Sequence, residues 1–175
     1  MQANLLFEAP LAHAEFVPTP VERPGGGRVK VNRDPAPSDV VKVKGVTRRI
    51  PLHRLAALAL QELQRAARAA GIRAPLLLPV SGYRDSTLQK QLFAKAVARY
   101  GSPQAARKWV APPGHSAHQS GRAIDFFLGG RNSSANVERL RDTSAYKWLR
   151  DNATRFGFYP YSAEPWHWEY NPPAP

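Results

Sequence analysis

The sequence predicts an α+β fold in which a small, mainly antiparallel sheet is flanked by helices. Stretches with helical and with strand periodicity follow one another irregularly, without the regular alternation that a parallel sheet requires. The sequence also has no glycine-rich phosphate loop, which argues against a doubly wound fold. At 175 residues, the chain is long enough for one hydrophobic core and short for two.

The first 49 residues predict an extended arm rather than a packed domain. Three consecutive glycines at 25–27 and six prolines disfavour helices and core packing; the prolines stand at positions 10, 18, 20, 24, 35 and 37. Residues 29–33 and 40–46 alternate apolar with polar side chains and predict short edge strands. We therefore divide the chain into a proline-rich N-terminal arm, residues 1–49, and a domain, residues 50–175.

From Pro51 the pattern changes and predicts a helix with one buried face. Gly71 stands where a C-terminal cap belongs, so we expect the helix to end there. The residues that recur at helical spacing and form the expected buried face are Leu52, Leu55, Ala56, Ala59, Leu63, Ala66 and Ala70.

A buried strand and two further helices are predicted next. Residues 75–84 form a short apolar run that is interrupted by Ser-Gly, and this strand is expected to deliver Tyr83 and Arg84 to an edge of the core. Residues 86–100 and 103–110 predict a second and a third helix.

The C-terminal part predicts two strands on either side of a helix. Residues 123–128 and 166–170 are rich in apolar and aromatic side chains, as strands are, and residues 144–157 predict a helix closed by glycine.

His118 and Asp125 are the first candidates for metal ligands. Asp125 is expected to lie on the less apolar face of the strand at 123–128. A carboxylate among apolar residues is costly unless it is paired, hydrogen-bonded or bound to a metal. Gly121 permits a tight turn that brings the ring of His118 back towards Asp125. The two side chains can therefore serve as ligands of one ion.

A third histidine stands in the final strand, close to a glutamate. In a strand, His167 points away from the neighbouring tryptophans, which can pack in the core while the imidazole enters the site. His118, Asp125 and His167 then offer two imidazoles and one carboxylate, a set suited to tetrahedral zinc with a fourth position open for water. Glu164, held just outside the strand by a proline, is left as a general base.

Each of these features also has a simpler interpretation. A histidine–aspartate pair at a strand edge is often a structural hydrogen bond, and a Trp-His-Trp run is often aromatic core. The chain has no H-E-x-x-H motif, which excludes the commonest helical arrangement of zinc proteases. GHSAH lacks the second glycine of a serine-hydrolase elbow. The absence of cysteine excludes disulfides, zinc-thiolate sites and cysteine nucleophiles.

Three ordered motifs carry a resemblance to a known family. They are SGYRD at 81–85, followed by Gln89, then GHSAHQSGRAIDF at 114–126, and EPWHWEY at 164–170. Together they resemble the zinc-dependent D-alanyl-D-alanine carboxypeptidase and dipeptidase family typified by VanY. The family pattern S-x-H-x-x-G-x-A-x-D is met in full, and the similarity spans about residues 50–171. Members share a metal-site fold with murein endopeptidases and the hedgehog signalling domain, so the resemblance implies that fold here.

The resemblance also implies roles for individual residues. It assigns Zn²⁺ binding to His118, Asp125 and His167, proton transfer to Glu164, and contact with the scissile carbonyl to Arg84. Three further side chains are expected to contact the substrate or to support the site: Tyr83, Gln89 and Ser116. His115 lacks the family's seven-residue spacing to the aspartate, and we place it at the rim of the pocket.

The predicted function is that of a zinc metallopeptidase acting on amide bonds in peptidoglycan stem peptides, as a D,D-carboxypeptidase that releases terminal D-alanine. An endopeptidase that cuts inside the stem or cross-bridge, as in a phage lysin, is the alternative within the same chemistry. A non-catalytic zinc-binding recognition module is the alternative of another class, although the presence of both Glu164 and Arg84 argues against it.

The expected partner is peptidoglycan or its muropeptides. The net charge of +12 predicts attraction to polyanions such as an anionic wall, whereas the scattered basic residues give no motif for a specific nucleic acid. No stretch approaches the length of a membrane span, and no secretory signal peptide is visible. We therefore expect synthesis in the cytoplasm and action on the wall by a route other than a standard signal peptide, with a processed form of the sequence as the alternative. One possible route is attachment of the arm to a phage tail, a secretion system or a contractile injection system.

Overall fold

The computed structural model describes residues 33–171, which fold into two antiparallel sheets and five helices and confirm the predicted α+β class. The elements in chain order are β1 (Val40–Lys44), β2 (Arg49–His53), α1 (Arg54–Ala69), β3 (Pro79–Ser81), α2 (Ser86–Tyr100), α3 (Pro103–Ala106), β4 (Ala123–Phe126), α4 (Val137–Arg141), α5 (Ser144–Asn152), β5 (Phe158–Tyr161) and β6 (Glu164–Tyr170).

The larger sheet has the order β3-β4-β6-β5, with every neighbouring pair antiparallel. β4 and β6 pair in a register that sets Asp125 directly opposite His167. Because side chains alternate along a strand, Ile124 and Phe126 enter the core while Asp125 points to the opposite face. The sheet thus has a core face and a face that carries the polar side chains.

The smaller sheet is a hairpin of β1 and β2, which packs against α1. β1 lies within the stretch at 40–46 for which a strand is predicted, and the prediction of an edge strand there is confirmed. Most of the stretch at 29–33 lies outside the described residues, as does most of the proline-rich arm. β1 falls on the N-terminal side of residue 49, and the division of the chain at that position stays a prediction.

The first helix begins later than predicted, at Arg54. Ile50 and Leu52 are both buried, whereas the residues between and beside them are partly or fully exposed, and this period of two belongs to the strand β2. His53 caps the helix, because its Nδ1 accepts a hydrogen bond from the backbone N–H of Leu55. The buried face of α1 is therefore shifted from the predicted one and consists of Ala56, Ala57, Leu60, Leu63 and Ala67.

Several other boundaries differ from the predictions. The strand predicted at 75–84 is reduced to β3, because turn hydrogen bonds occupy the preceding residues, including Leu76 N–H to Arg73 O and Leu78 N–H to Pro75 O. α2 has the predicted bounds of 86–100. The third and fifth helices are shorter than predicted. A 3₁₀ turn follows α5, and this turn ends at Gly157, which has a left-handed conformation. β5 was not predicted, because its proline is typical of a turn or an edge strand.

The core lies between the sheet, α1 and the C-terminal helices. Its largest fully buried side chains include Trp168, Phe126 and Phe158, and the two phenylalanine rings meet edge to face with centroids 6.3 Å apart. Trp168 lies on β6 and donates its indole N–H to Pro165 O. Within residues 33–171, the helices are all too short or too polar to cross a membrane.

Candidate metal centre

His118 is held by a loop that is closed by its own side chains. The Gln119 side-chain oxygen accepts from Gly114 N–H at 2.7 Å, and the Ser120 hydroxyl donates to Ala117 O at 2.6 Å. A 3₁₀ turn at 117–120 ends at Gly121, whose φ of +72° favours glycine, as predicted for this turn. The loop is thereby turned back towards β4, and His118 is buried.

The side chains of His118, Asp125 and His167 form one cluster, which we call the metal cluster. Asp125 Oδ1 lies 3.3 Å from His118 Nε2 and 3.0 Å from His167 Nδ1, and one donor atom from each residue lies within 4.8 Å of the other two. Ligand atoms about 2.0–2.2 Å from one tetrahedral ion are separated by about 3.3–3.5 Å. The two distances to Asp125 lie close to that separation and the donor types suit zinc, so the cluster could hold a single zinc ion.

The second nitrogen of each histidine also has a partner. His118 Nδ1 lies 2.7 Å from the backbone oxygen of Gly82. Because a carbonyl only accepts, Nδ1 carries the proton and Nε2 presents its lone pair to the cluster. A Cβ on Gly82 would lie 2.5 Å from Pro51 O, so only glycine allows the strands to approach closely enough for this contact.

Glu169 plays the corresponding part for His167, and it was missed in the sequence. Its Oε1 lies 3.2 Å from His167 Nε2, it is fully buried, and its Oε2 has no hydrogen-bond partner among the described residues. A carboxylate behind a ligand histidine orients the ring and raises its basicity. The alternation of β6 was the available signal, because residues two apart on a strand share a face.

The charges of the three ligands depend on burial and on their mutual contacts. Burial lowers the pKa of His118, although Asp125 opposes the shift. Burial would raise the pKa of Asp125, but the two histidines outweigh it and hold that pKa well below its usual range. Burial would lower the pKa of His167, but hydrogen bonds to Asp125 and Glu169 outweigh it and raise the pKa to about 10.

Arg84 and Glu164 lie next to the metal cluster. The backbone N–H of Arg84 donates to His118 O at 3.1 Å, and the buried Nε of its guanidinium has no partner among the described residues. Burial lowers the pKa of Arg84, while Asp125 and Glu164 oppose the shift, so both carboxylates lie close to the guanidinium. Among the described residues, Arg84 thus has a buried donor without a partner, which is uncommon in folded proteins.

Glu164 is the first residue of β6, inside the strand rather than just outside it as predicted. Its Oε2 accepts a hydrogen bond from the Trp166 indole N–H at 3.1 Å. Burial raises the pKa of Glu164, with His167 opposing the shift. A carboxyl group with a raised pKa is suited to taking up and returning a proton near neutral pH.

The other predicted residues are held mainly by protein contacts. Gln89 is buried and donates from Nε2 to Ala111 O at 2.6 Å, while its Oε1 has no partner among the described residues. Ser116 is buried two residues before His118, at the start of the turn. His115 is exposed and lies outside the metal cluster, as expected for a residue at the rim.

Tyr83 contacts the segment that precedes β1. Burial, together with the carboxylates of Asp34 and Asp85 and a hydrogen bond to Asp34, raises the pKa of Tyr83 to about 12. Asp34 also accepts from Ser86, at 3.0 Å from the backbone N–H and 2.6 Å from the hydroxyl. Asp34 and Asp85 therefore both lie at the N-terminus of α2, and Asp85 directly follows Arg84 in the chain.

The curated relatives include carboxypeptidases. The chain is 39% identical over 130 residues to the D-alanyl-D-alanine carboxypeptidase of Enterococcus faecalis (strain ATCC 700802 / V583), covering 63% of this chain and 45% of the relative. It is 30% identical over 122 residues to the bifunctional D-Ala-D-Ala dipeptidase and carboxypeptidase VanXYC of Enterococcus gallinarum, covering 63% of each. The chain thus spans less than two thirds of the length of these relatives.

Solved structures of carboxypeptidases are also similar to this chain. The LdcB LD-carboxypeptidase matches with a TM-score of 0.64 and 34% identity, over 79% of this chain and 70% of that one. A vancomycin-resistance D,D-pentapeptidase VanY in complex with Zn(II) matches with a TM-score of 0.55 and 33% identity, over 79% and 83%. The family model described as VanY, D-alanyl-D-alanine carboxypeptidase, matches residues 49–173. The chain therefore belongs to the VanY family of D-alanyl-D-alanine carboxypeptidases.

Proposed function

We propose that the chain is a zinc-dependent D,D-carboxypeptidase that removes the terminal D-alanine from peptidoglycan stem peptides. The proposal rests on the metal cluster of His118, Asp125 and His167. The carboxyl group of Glu164 and the guanidinium of Arg84 lie beside this cluster without being part of it. Membership of the VanY family and the similarity to the D-alanyl-D-alanine carboxypeptidase of E. faecalis support the substrate class.

His118, Asp125 and His167 would hold the metal in this proposal. Bound zinc would supply a water molecule of lowered pKa and an electrophile for the scissile carbonyl. Two imidazoles and one carboxylate would leave one position for water or substrate, as in catalytic zinc sites. The contacts of the histidines with Gly82 O and Glu169 orient the rings so that the other nitrogens could bind the metal.

Glu164 moves the proton. Its raised pKa suits a base that takes a proton from the attacking water and then returns it, as an acid, to the amine of the departing D-alanine. The Trp166 indole orients the carboxyl group through a hydrogen bond to Oε2, and Oε1 would then be the oxygen that handles the proton. One side chain therefore serves both halves of the reaction.

Arg84 stabilises the oxygen of the scissile carbonyl as it becomes negative. Its guanidinium stays charged despite burial, because two carboxylates are near, and its Nε has no partner in the described part of the chain. A donor of this kind gains most when charge develops in the transition state, where the loss of one donor costs about 3 kcal/mol. Arg84 therefore contributes to the rate rather than only to substrate binding.

Action on the cell wall belongs to the same proposal. The net charge of +12 suits an anionic wall. We propose attachment of the arm to a delivery apparatus only on the composition of the arm, since residues 1–32 lie outside the described part of the chain. A deletion of residues 1–32 that keeps peptidase activity on isolated muropeptides would agree with such a separate role.

Muropeptides of defined stem length test the proposal. We expect the purified zinc-loaded protein to shorten stems ending in D-Ala-D-Ala by one alanine, as measured by mass spectrometry. A chelator should abolish the reaction and added zinc should restore it. Release of internal fragments would indicate an endopeptidase, and shortening only of stems that end in a single D-alanine would indicate L,D specificity. Undiminished cleavage after complete metal removal would refute the mechanism.

A further inference from the structure

A groove of about 700 Å³ opens beside Glu164 and is not accounted for by the metal cluster. One wall is formed by α2 and the segment after α3, and the other by the loop before α4 and the turn between β5 and β6. Because Glu164 lies in its lining, the groove is continuous with the reaction centre. We call it the basic groove, after the three cations that line it: Lys95, Arg99 and Lys108.

The basic groove carries an exposed aromatic platform. Trp109 is 60% exposed, the most exposed of the large apolar side chains among the described residues. Its ring stacks on Tyr100 with centroids 5.6 Å apart and planes inclined by 14°, and the guanidinium carbon of Arg99 lies 5.5 Å from the Tyr100 centroid. An indole held in a fixed position and left open to solvent is typical of a binding surface.

The size of the groove indicates which side of the substrate it takes. A carboxypeptidase cut leaves a single alanine on the departing side, whereas the rest of the peptide lies on the other side of the scissile bond. A volume of about 700 Å³ falls in the range of ~300–1,000 Å³ that holds drug-sized ligands and is much larger than one alanine. The groove therefore has room for several residues on the N-terminal side of the cut.

The charge of the groove indicates the chemistry of its occupant. Three cations line it against one acidic residue, Glu164, which lies at the end next to the metal cluster. A peptide that carries a free carboxylate some residues before the scissile bond would place that carboxylate among the cations, and its aliphatic portions against Trp109. Such a peptide complements both the charge and the apolar surface of the groove.

We propose that the basic groove selects acidic peptides, by binding a free carboxylate on the N-terminal side of the scissile bond. This inference rests on the proposed carboxypeptidase function and adds a specificity to it. The groove then makes the enzyme favour long, carboxylate-bearing peptides over the bare D-Ala-D-Ala dipeptide unit.

The test compares two synthetic pentapeptides that end in D-Ala-D-Ala and differ only in an upstream Glu or Gln. For the zinc-loaded full-length chain, we expect kcat/KM to be about tenfold higher for the Glu peptide, with the difference falling as salt is raised. In the double variant Lys95→Glu/Lys108→Glu the preference should vanish. The zinc stoichiometry and the circular dichroism spectrum of the double variant should equal those of the parent chain, which shows that the variant is folded.

Lys90→Glu is the matched control, because Lys90 is an exposed residue of the same helix and does not line the groove. Its preference for the Glu peptide should equal that of the parent chain. Equal cleavage of the two peptides by the parent chain, or a preference that survives in the double variant, would overturn the proposal. Tighter binding of a peptide-free glycan fragment than of the Glu peptide would also overturn it and would identify a glycan surface.

If the chain is not a carboxypeptidase, the same peptides give a different result. In that case N-acetyl-D-Ala-D-Ala and both pentapeptides stay intact, and calorimetry of the uncleaved pentapeptides tests the groove by itself. Tighter binding of the Glu peptide, lost in Lys95→Glu/Lys108→Glu, would support an acidic-peptide groove in a protein that does not cleave it. Equal binding of both peptides would overturn the groove proposal as well.

Discussion

The metal cluster and the basic groove both reach Glu164, but they differ in burial and in construction. The cluster is formed by side chains on paired strands and one tight turn, and its histidines are fixed by contacts on both ring nitrogens. The groove is formed by a helix and three loops, and its charges are solvent-accessible. Paired strands fix geometry to within tenths of an ångström, whereas loops and helix surfaces vary without disturbing it. Under the two proposals, reaction chemistry and peptide preference would therefore change separately.

Glu164→Gln should have the largest effect on activity, and it tests whether the metal cluster and the basic groove act separately. Removing the proton carrier should lower kcat by about 10³-fold, since general acid–base groups contribute about 10²–10⁴-fold. The loss should be equal for N-acetyl-D-Ala-D-Ala and for the pentapeptides, because both need the proton. Zinc stoichiometry, measured by atomic absorption, should stay at one ion per chain.

Two further variants are compared with Glu164→Gln. His167→Ala should lose the zinc together with the activity, because it removes a ligand. Glu62→Gln, at an exposed glutamate of α1, should behave as the parent chain. Wild-type rates in Glu164→Gln would show that another group moves the proton.

A smaller effect is expected for Glu169→Gln, which acts on the metal cluster alone. The neutral amide is a weaker acceptor for the His167 Nε2 proton, and zinc affinity should fall by about 10–100-fold, as for other partners of ligand histidines. Competition with a chelator of known affinity measures the change. At saturating zinc most of kcat should return, and the preference for the Glu peptide should be unaltered.

Glu138→Gln is the control for this variant, because Glu138 is an exposed glutamate on α4 that pairs with Arg141. If the zinc affinity of Glu169→Gln equals that of the parent chain, Glu169 does not position His167. A thermal melt of each metal-free protein separates loss of metal affinity from loss of folding.

A third test is the pH dependence of zinc binding, for which we expect about a tenfold effect per pH unit. In the metal-free protein the pKa of His167 is about 10, so near neutral pH the imidazole must lose a proton before Nδ1 can bind the ion. His118 has a lowered pKa and Asp125 is ionised, so neither competes. Zinc affinity should therefore rise about tenfold per pH unit between about pH 6 and 8. Chelator competition at each pH, with proton release followed by an indicator dye, measures it; an affinity that is independent of pH would contradict the assignment.

Much of the metal cluster could be predicted from the sequence, because its members depend on local patterns. The alternation along β4 identifies the face of Asp125, and a turn at Gly121 brings His118 to it within seven residues. The pairing of Asp125 with His167 depends on strand register over a long separation, which no local pattern predicts; the two residues were grouped by their donor chemistry, and the resemblance to a family supported the grouping. Glu169 was missed although the alternation along β6 places it on the same face as His167.

Other features are not encoded in any local pattern. Leu52 and Leu55 are spaced as on a helix, but pairing with β1 draws Leu52 into a strand, so tertiary contacts override the periodicity. The basic groove combines Lys95 and Trp109 with residues more than fifty positions away, and its charges look like an ordinary solvated surface in the sequence. Surfaces assembled from distant segments become visible only once the chain is folded.

The hydrogen bonds of Asp34 with Ser86 have a mechanical consequence. They attach the segment before β1 to the first turn of α2, two residues from Arg84. Because the chain passes from Asp34 into β1, a force applied to the residues before Asp34 would act on this contact before it acts on the hairpin. We therefore expect the contact between Asp34 and Ser86 to couple the N-terminal segment mechanically to the turn that carries Arg84.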